Sequence, residues 1–161
     1  MFEQFGEFDS AEEMNECAAG LKREGDRESL YAMARENGLE DEDVDDYADG
    51  YVEQLVNPLM AALGKIEVEE KELKPEHIMT DWVTYIKTKC AQDENVARAV
   101  RKKGKSIKGC IAEVLKYSFK IRKPVDADIV KAAGISNGRV DLGIPGMLEV
   151  REIIDTYYLG K

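Results

Sequence analysis

Apolar residues recur along most of this chain with the spacing of amphipathic helices. The clearest run is Val44, Tyr47, Ala48, Tyr51, Val52, Leu55, Val56, Leu59, Met60 and Leu63. Steps of three and one alternate through it, which puts one broad stripe toward a core and the rest toward water. The spacing predicts a helix that buries Val52, Leu55 and Leu59. Pro58 lies on the opposite face. Proline removes one helical hydrogen bond and crowds the preceding turn, so a kink or break is expected near Asn57.

Upstream, Ser10 with Glu13 three residues on has the form of a capping box, opening a helix that runs to about Gly20. A second helix starts near Asp26, carries Leu30, Met33 and Ala34 on one face, and stops at Asn37-Gly38. Gly64 to Lys74 is densely charged and reads as a connector, with Pro75 in the first turn of the next helix. Met79, Trp82, Val83, Ile86 and Cys90 form that helix's stripe. Asp93 caps a short helix to about Lys103. After Gly104, Ile107, Ile111, Val114, Leu115 and Ile121 mark another, ended by Pro124. Asp126 or Asp128 starts a short helix that stops at Gly134. Ser136 to Gly143 reads as a loop or small hairpin, and a last helix carries Met147, Val150, Ile153, Ile154 and Tyr157. The expected fold class is all-α, as two small helical subdomains or one helical domain, with a short hairpin near 136–143. The expected division is 1–64, an acidic helical subdomain; 65–75, a charged connector; and 76–161, a basic helical subdomain.

Composition narrows the class. Hydrophobic residues make up 43% of the chain, enough for a core. No apolar run approaches the roughly 20 residues of a membrane helix, and the acidic start Met1-Phe2-Glu3 lacks a signal peptide's basic region. A cytoplasmic protein without membrane partners is expected. Cys17, Cys90 and Cys110 are odd in number, widely spaced and without a C-x-x-C pair, and His77 is the one histidine, so the expectation is reduced thiols and no metal site.

Charge changes the picture most. Residues 1–80 hold 23 acids and 7 bases, a balance of −16; residues 81–161 hold 10 acids and 16 bases, a balance of +6. Such fields select macromolecular partners without specifying a fold. On the predicted third helix, Glu42, Asp45, Asp46, Asp49 and Glu53 fall on the solvent side. Carboxylates three and four residues apart are neighbours there, and their row can imitate a phosphate backbone toward a basic groove. The same residues on a solvated face would simply keep the protein soluble. The run is no calcium loop: counted from Asp45, an EF-hand needs Glu at the twelfth position, where Val56 stands.

Ten bases lie between Arg98 and Lys123 with Glu113 the sole acid among them; Arg98, Arg101, Lys102, Lys103, Lys105 and Lys108 form the dense part. This patch suits either nucleic acid or an acidic partner within the chain or a homodimer. No zinc finger, aromatic RNP pattern or helix-turn-helix accompanies it. Gly104-Lys105-Ser106 resembles the end of a P-loop, but Ala99 stands where the first glycine belongs. Tyr157-Tyr158 reads as a docking aromatic pair. No set of catalytic residues stands out, so neither an enzyme nor a cofactor is expected.

The second half carries a family resemblance. Trp82-Val83-Thr84-Tyr85-Ile86, Cys90, Asp93-Glu94, the turn Lys102-Lys103-Gly104-Lys105 with Ser106-Ile107-Lys108-Gly109-Cys110, and the closing Tyr157-Tyr158-Leu159 resemble the PcfK-like proteins of conjugative and phage elements, over about residues 78–161. Part of that family resembles anti-CRISPR inhibitors of type II RNA-guided nucleases. The resemblance implies a mobile-element accessory protein with a protein partner, inhibiting a nuclease or serving conjugation. The acidic first half and the Ser136–Met147 loop lie outside the pattern.

Overall fold

The computed structural model describes residues 2–135 and 138–160, and among these the chain is all-α. The helices are α1 (Ala11–Glu24), α2 (Arg27–Glu36), α3 (Asp41–Asp49), α4 (Pro58–Leu73), α5 (Ile78–Gln92), α6 (Glu94–Arg101), α7 (Ile107–Ile121), α8 (Ala127–Ala132) and α9 (Met147–Leu159). Two-residue strands β1 (Lys123–Pro124) and β2 (Asp141–Leu142) form one antiparallel pair with Lys123 opposite Leu142. Two compact units divide at Gly109, residues up to 109 and residues from 110. This division falls more than thirty residues after the expected 65–75 connector.

Local chemistry sets the helix ends. Ser10 accepts from the Glu13 amide at 3.1 Å, and the Glu13 carboxylate takes the Asp9 amide, so the cap closes one residue further out than expected. Asp26, Asn57, Asp93 and Asp126 cap α2, α4, α6 and α8 in the same way. α1 passes through Gly20 and ends at Gly25, a left-handed C-cap.

In the first unit, α1, α2 and α3 pack in sequence, α4 packs on α6 and α5, and α5 packs on α6. Met14, Ala18, Leu30, Met33, Val44, Tyr47, Leu55 and Val56 are buried together in one core. The closest backbone approach joins α2's end to α4. A Cβ built on Gly38 would lie 2.3 Å from the Gly64 carbonyl oxygen, and one on Gly64 would lie 2.3 Å from that of Asn37. Only glycine fits at both positions.

The long helix expected over 44–63 is two helices. Gly50 ends α3 in the left-handed region at φ 85°, and α4 begins at Pro58, where a missing N–H costs nothing. The break expected near Asn57 therefore extends back to Gly50. In the link, Leu55 is buried, while Val52 is exposed and Leu59, in the first turn of α4, is half-buried. Asn15 stands in for a missing backbone partner: its amide group donates to the Val56 carbonyl at 2.8 Å and accepts from the Val56 amide at 3.0 Å. The charged stretch 64–73 is the second half of α4 and packs in the core, and Pro75 lies outside the helix that follows. Along α5, Trp82, Val83, Ile86 and Cys90 are buried but Met79 is exposed.

In the second unit, Cys110, Val114, Val150, Ile154 and Tyr158 are buried, whereas Leu115 and Met147 of the expected stripes are exposed. Residues 141–142 pair with 123–124, across α8, in place of a local hairpin at 136–143; residues 136 and 137 lie outside the described residues. Gly143 lies against α7, where a Cβ would come within 2.2 Å of the Ser118 carbonyl oxygen.

Candidate macromolecular interface

Part of the basic stretch meets acids at the start of α1 inside the first unit. Arg98 reaches Glu12 at 2.6 Å and Glu94 at 2.8 Å. The hydrogen bond to Arg98 holds the Glu12 carboxyl below its ordinary range. Lys103 reaches Glu13 at 3.4 Å, and its amide donates to Asp9 at 2.9 Å. Of the six bases in the dense patch, Arg98, Lys102, Lys103 and Lys108 are exposed, Lys105 is half-buried, and Arg101 is 1% exposed. Arg101 cannot meet an outside partner.

Arg101 instead belongs to a buried charge network on α4, α6 and the segment before α1. Its guanidinium donates to the Phe8 carbonyl at 3.1 Å, the Ala61 carbonyl at 3.5 Å and Asn37 Oδ1 at 2.8 Å. Lys65, also 1% exposed, pairs with Glu7 at 2.5 Å and donates to the Lys102 carbonyl at 2.8 Å. Glu69 accepts the Ile107 amide at 2.7 Å. Desolvation is the largest influence on all three: it lowers Lys65, raises Glu69, and brings Arg101 down to about 10. Each charge is held by groups of the same unit, so the network is a structural clamp on the chain's first residues. Gln4 and Phe5 add to that clamp, their amides donating to the Glu36 carboxylate at 3.0 and 3.2 Å. Sequence reasoning missed the network. The available signal was position: Lys65 and Glu69 follow Ala61 at four-residue steps, on α4's buried side.

The acidic face is partly engaged. Arg27 of α2 bridges Asp45 at 3.3 Å and Asp49 at 2.9 Å, and Tyr31 donates to Asp45. These pairs are about half exposed, a setting where ion pairs contribute little. Glu42 and Asp46 are exposed on α3, while Glu53 is exposed in the link after Gly50 and off the helix. The structure thus places four of the five predicted carboxylates on one helix and the fifth beyond its end.

Partition by compact unit revises the charge map. The first unit holds 26 acids and 15 bases, a balance of −11, and the second 7 acids and 8 bases, a balance of +1. The acidic front and basic back of the sequence become an acidic unit and a nearly neutral one. Among the described residues, no group of three or more His, Cys, Asp or Glu side chains is placed to hold a metal ion, and no helix is long and apolar enough to cross a membrane. Cys90 and Cys110 are buried and none of the three cysteines is in a disulfide; burial pushes the Cys90 thiol up to about 12. His77 is exposed and precedes α5 at φ 54°. No protein-family model matches the sequence, and neither a curated protein nor a solved structure matches it.

Proposed function

We propose that this is a non-catalytic, cytoplasmic interaction protein that meets a basic macromolecular surface through the acidic outer side of its first unit, centred on Glu42, Asp46, Glu53 and the Arg27-paired Asp45 and Asp49. One observation carries the reading: Glu42, Asp45, Asp46, Asp49 and Glu53 are all exposed, on a unit whose charge balance is −11. Charge of that size favours encounter with basic surfaces over a Debye length of about 8–10 Å. An RNA-guided nuclease holds nucleic acid in positively charged channels, and a carboxylate row competes for them on charge alone. With the PcfK-like resemblance of residues 78–161, the proposal extends to an accessory protein of a mobile element acting as an inhibitor of a type II nuclease.

The test is DNA cleavage by type II nucleases in the presence of wild type or Glu42→Lys/Asp46→Lys/Glu53→Lys. These positions are exposed, so circular dichroism should show an unchanged helical fold. Inhibition by wild type that is lost in the variant is the expected result. Equal inhibition by both would eliminate charge mimicry, and no inhibition by either, across several such nucleases, would eliminate the nuclease assignment.

A further inference from the structure

A groove of about 570 Å³ lies in the second unit, lined from α7 and α9. Its volume is typical of binding clefts. Helical spacing sorts its lining. Tyr117 from α7, with Ile153 and Tyr157 from α9, flank the buried residues Val114, Ile154 and Tyr158 and form the floor. Glu113, Lys116 and Lys120, at steps of three and four, form the α7 rim; Glu149 and Glu152 line the α9 side. Tyr117 donates to Glu149 at 2.5 Å, a bond that raises the phenol's pKa and lowers the carboxyl's. Lys116 meets Glu113 at 2.6 Å, a pair too exposed to hold the lysine in place.

With Glu113 counted, the α7 wall balances at +1 and the α9 wall at −2, so the two are opposite in sign along an apolar floor. A ligand of one sign is repelled by one wall. A flat surface cannot reach the floor. We propose that this groove is a docking site for an amphipathic helix of a partner protein, with apolar anchors on Tyr117, Ile153 and Tyr157, an acidic flank toward Lys116 and Lys120, and a basic flank toward Glu149 and Glu152. This is helix-in-groove recognition, with flank charges setting partner choice as they do beside a coiled-coil seam. The groove lies in the unit that α3 does not occupy, so its test stands apart from the reading above.

The experiment uses the ¹⁵N-labelled full chain and three leucine-based helical peptides of equal length: one with a glutamate flank and a lysine flank, one with two glutamate flanks, one with two lysine flanks. The two-signed peptide should shift the amides of Tyr117, Ile153 and Tyr157 and bind about 3–10-fold more tightly than either other peptide. Lys116→Glu/Lys120→Glu should move the preference to the all-lysine peptide, and Glu152→Lys, an independent variant, toward the all-glutamate one. Binding indifferent to flank charge, or no shift at the floor with any peptide, would overturn the proposal. So would a wild-type dimer in sedimentation that Lys116→Glu/Lys120→Glu returns to monomer, because a second copy would then fill the groove.

Discussion

Arg101 shows how a residue's meaning depends on burial. In the sequence it is one lysine-rich patch member among six; in the fold it is buried and donates to three oxygens. Replacing it with alanine strands Phe8, Ala61 and Asn37, and should cost about 3–5 kcal/mol in urea unfolding. A loss near zero, typical of exposed arginines, would contradict the buried assignment. Glu69 makes a pH-dependent claim. Its folded pKa is raised, so the folded state binds the proton more tightly than the unfolded state. The associated stability is fully present below the ordinary glutamate range and is lost as pH rises through the raised folded value. Glu69→Gln keeps an oxygen for the Ile107 amide and carries no charge. Its stability relative to wild type should therefore increase as pH rises from the ordinary glutamate range toward neutrality; a constant difference across that window would show that Glu69 has no raised pKa.

Elements were legible where local chemistry decides them. Ser10, Asp26, Asp93 and Asp126 cap helices because short polar side chains satisfy amides that the helix leaves open. The failures have particular causes. The three-and-one spacing runs on through Gly50 because Tyr51 and Val52 are apolar at in-phase positions although the link leaves both exposed, and periodicity cannot report a break that the residue types continue across. Asp49-Gly50 held the missed signal, a glycine suited to the left-handed position after a helix. The 64–73 stretch was lost for another reason: α4 buries Gly64, Lys65 and Glu69, which carry no apolar signature. Their burial depends on partners far away in sequence, Glu7, Ile107 and the Asn37–Gly38 backbone. Gly64→Ala puts a methyl into the Asn37 carbonyl and should destabilise by about 1–3 kcal/mol, although alanine is the better helix former. A neutral or stabilising result in thermal unfolding would mean that α2 and α4 do not approach so closely.

At the scale of the whole molecule, what matters is where charge ends up. The acid and base blocks were plain in the sequence, as was the possibility that they pair. Which bases would be spent, and on what, was not, because Arg98 and Glu12 lie 86 positions apart and no local rule joins them. The fold turns Arg98 and Lys103 toward Glu12, Glu13 and Asp9 and Arg101 into the core, leaves Lys102 and Lys108 exposed, and sets them on an acidic first unit. The most direct measurement is binding of fluorescent single- and double-stranded DNA and RNA to the full chain at about 50 mM salt, where counterion release makes any phosphate contact strongest. An acidic unit of this balance should show no binding at micromolar protein. Micromolar affinity that falls steeply with salt, and that weakens in Lys102→Gln/Lys105→Gln/Lys108→Gln, would contradict it and show that the exposed lysines outweigh the acidic balance of the unit.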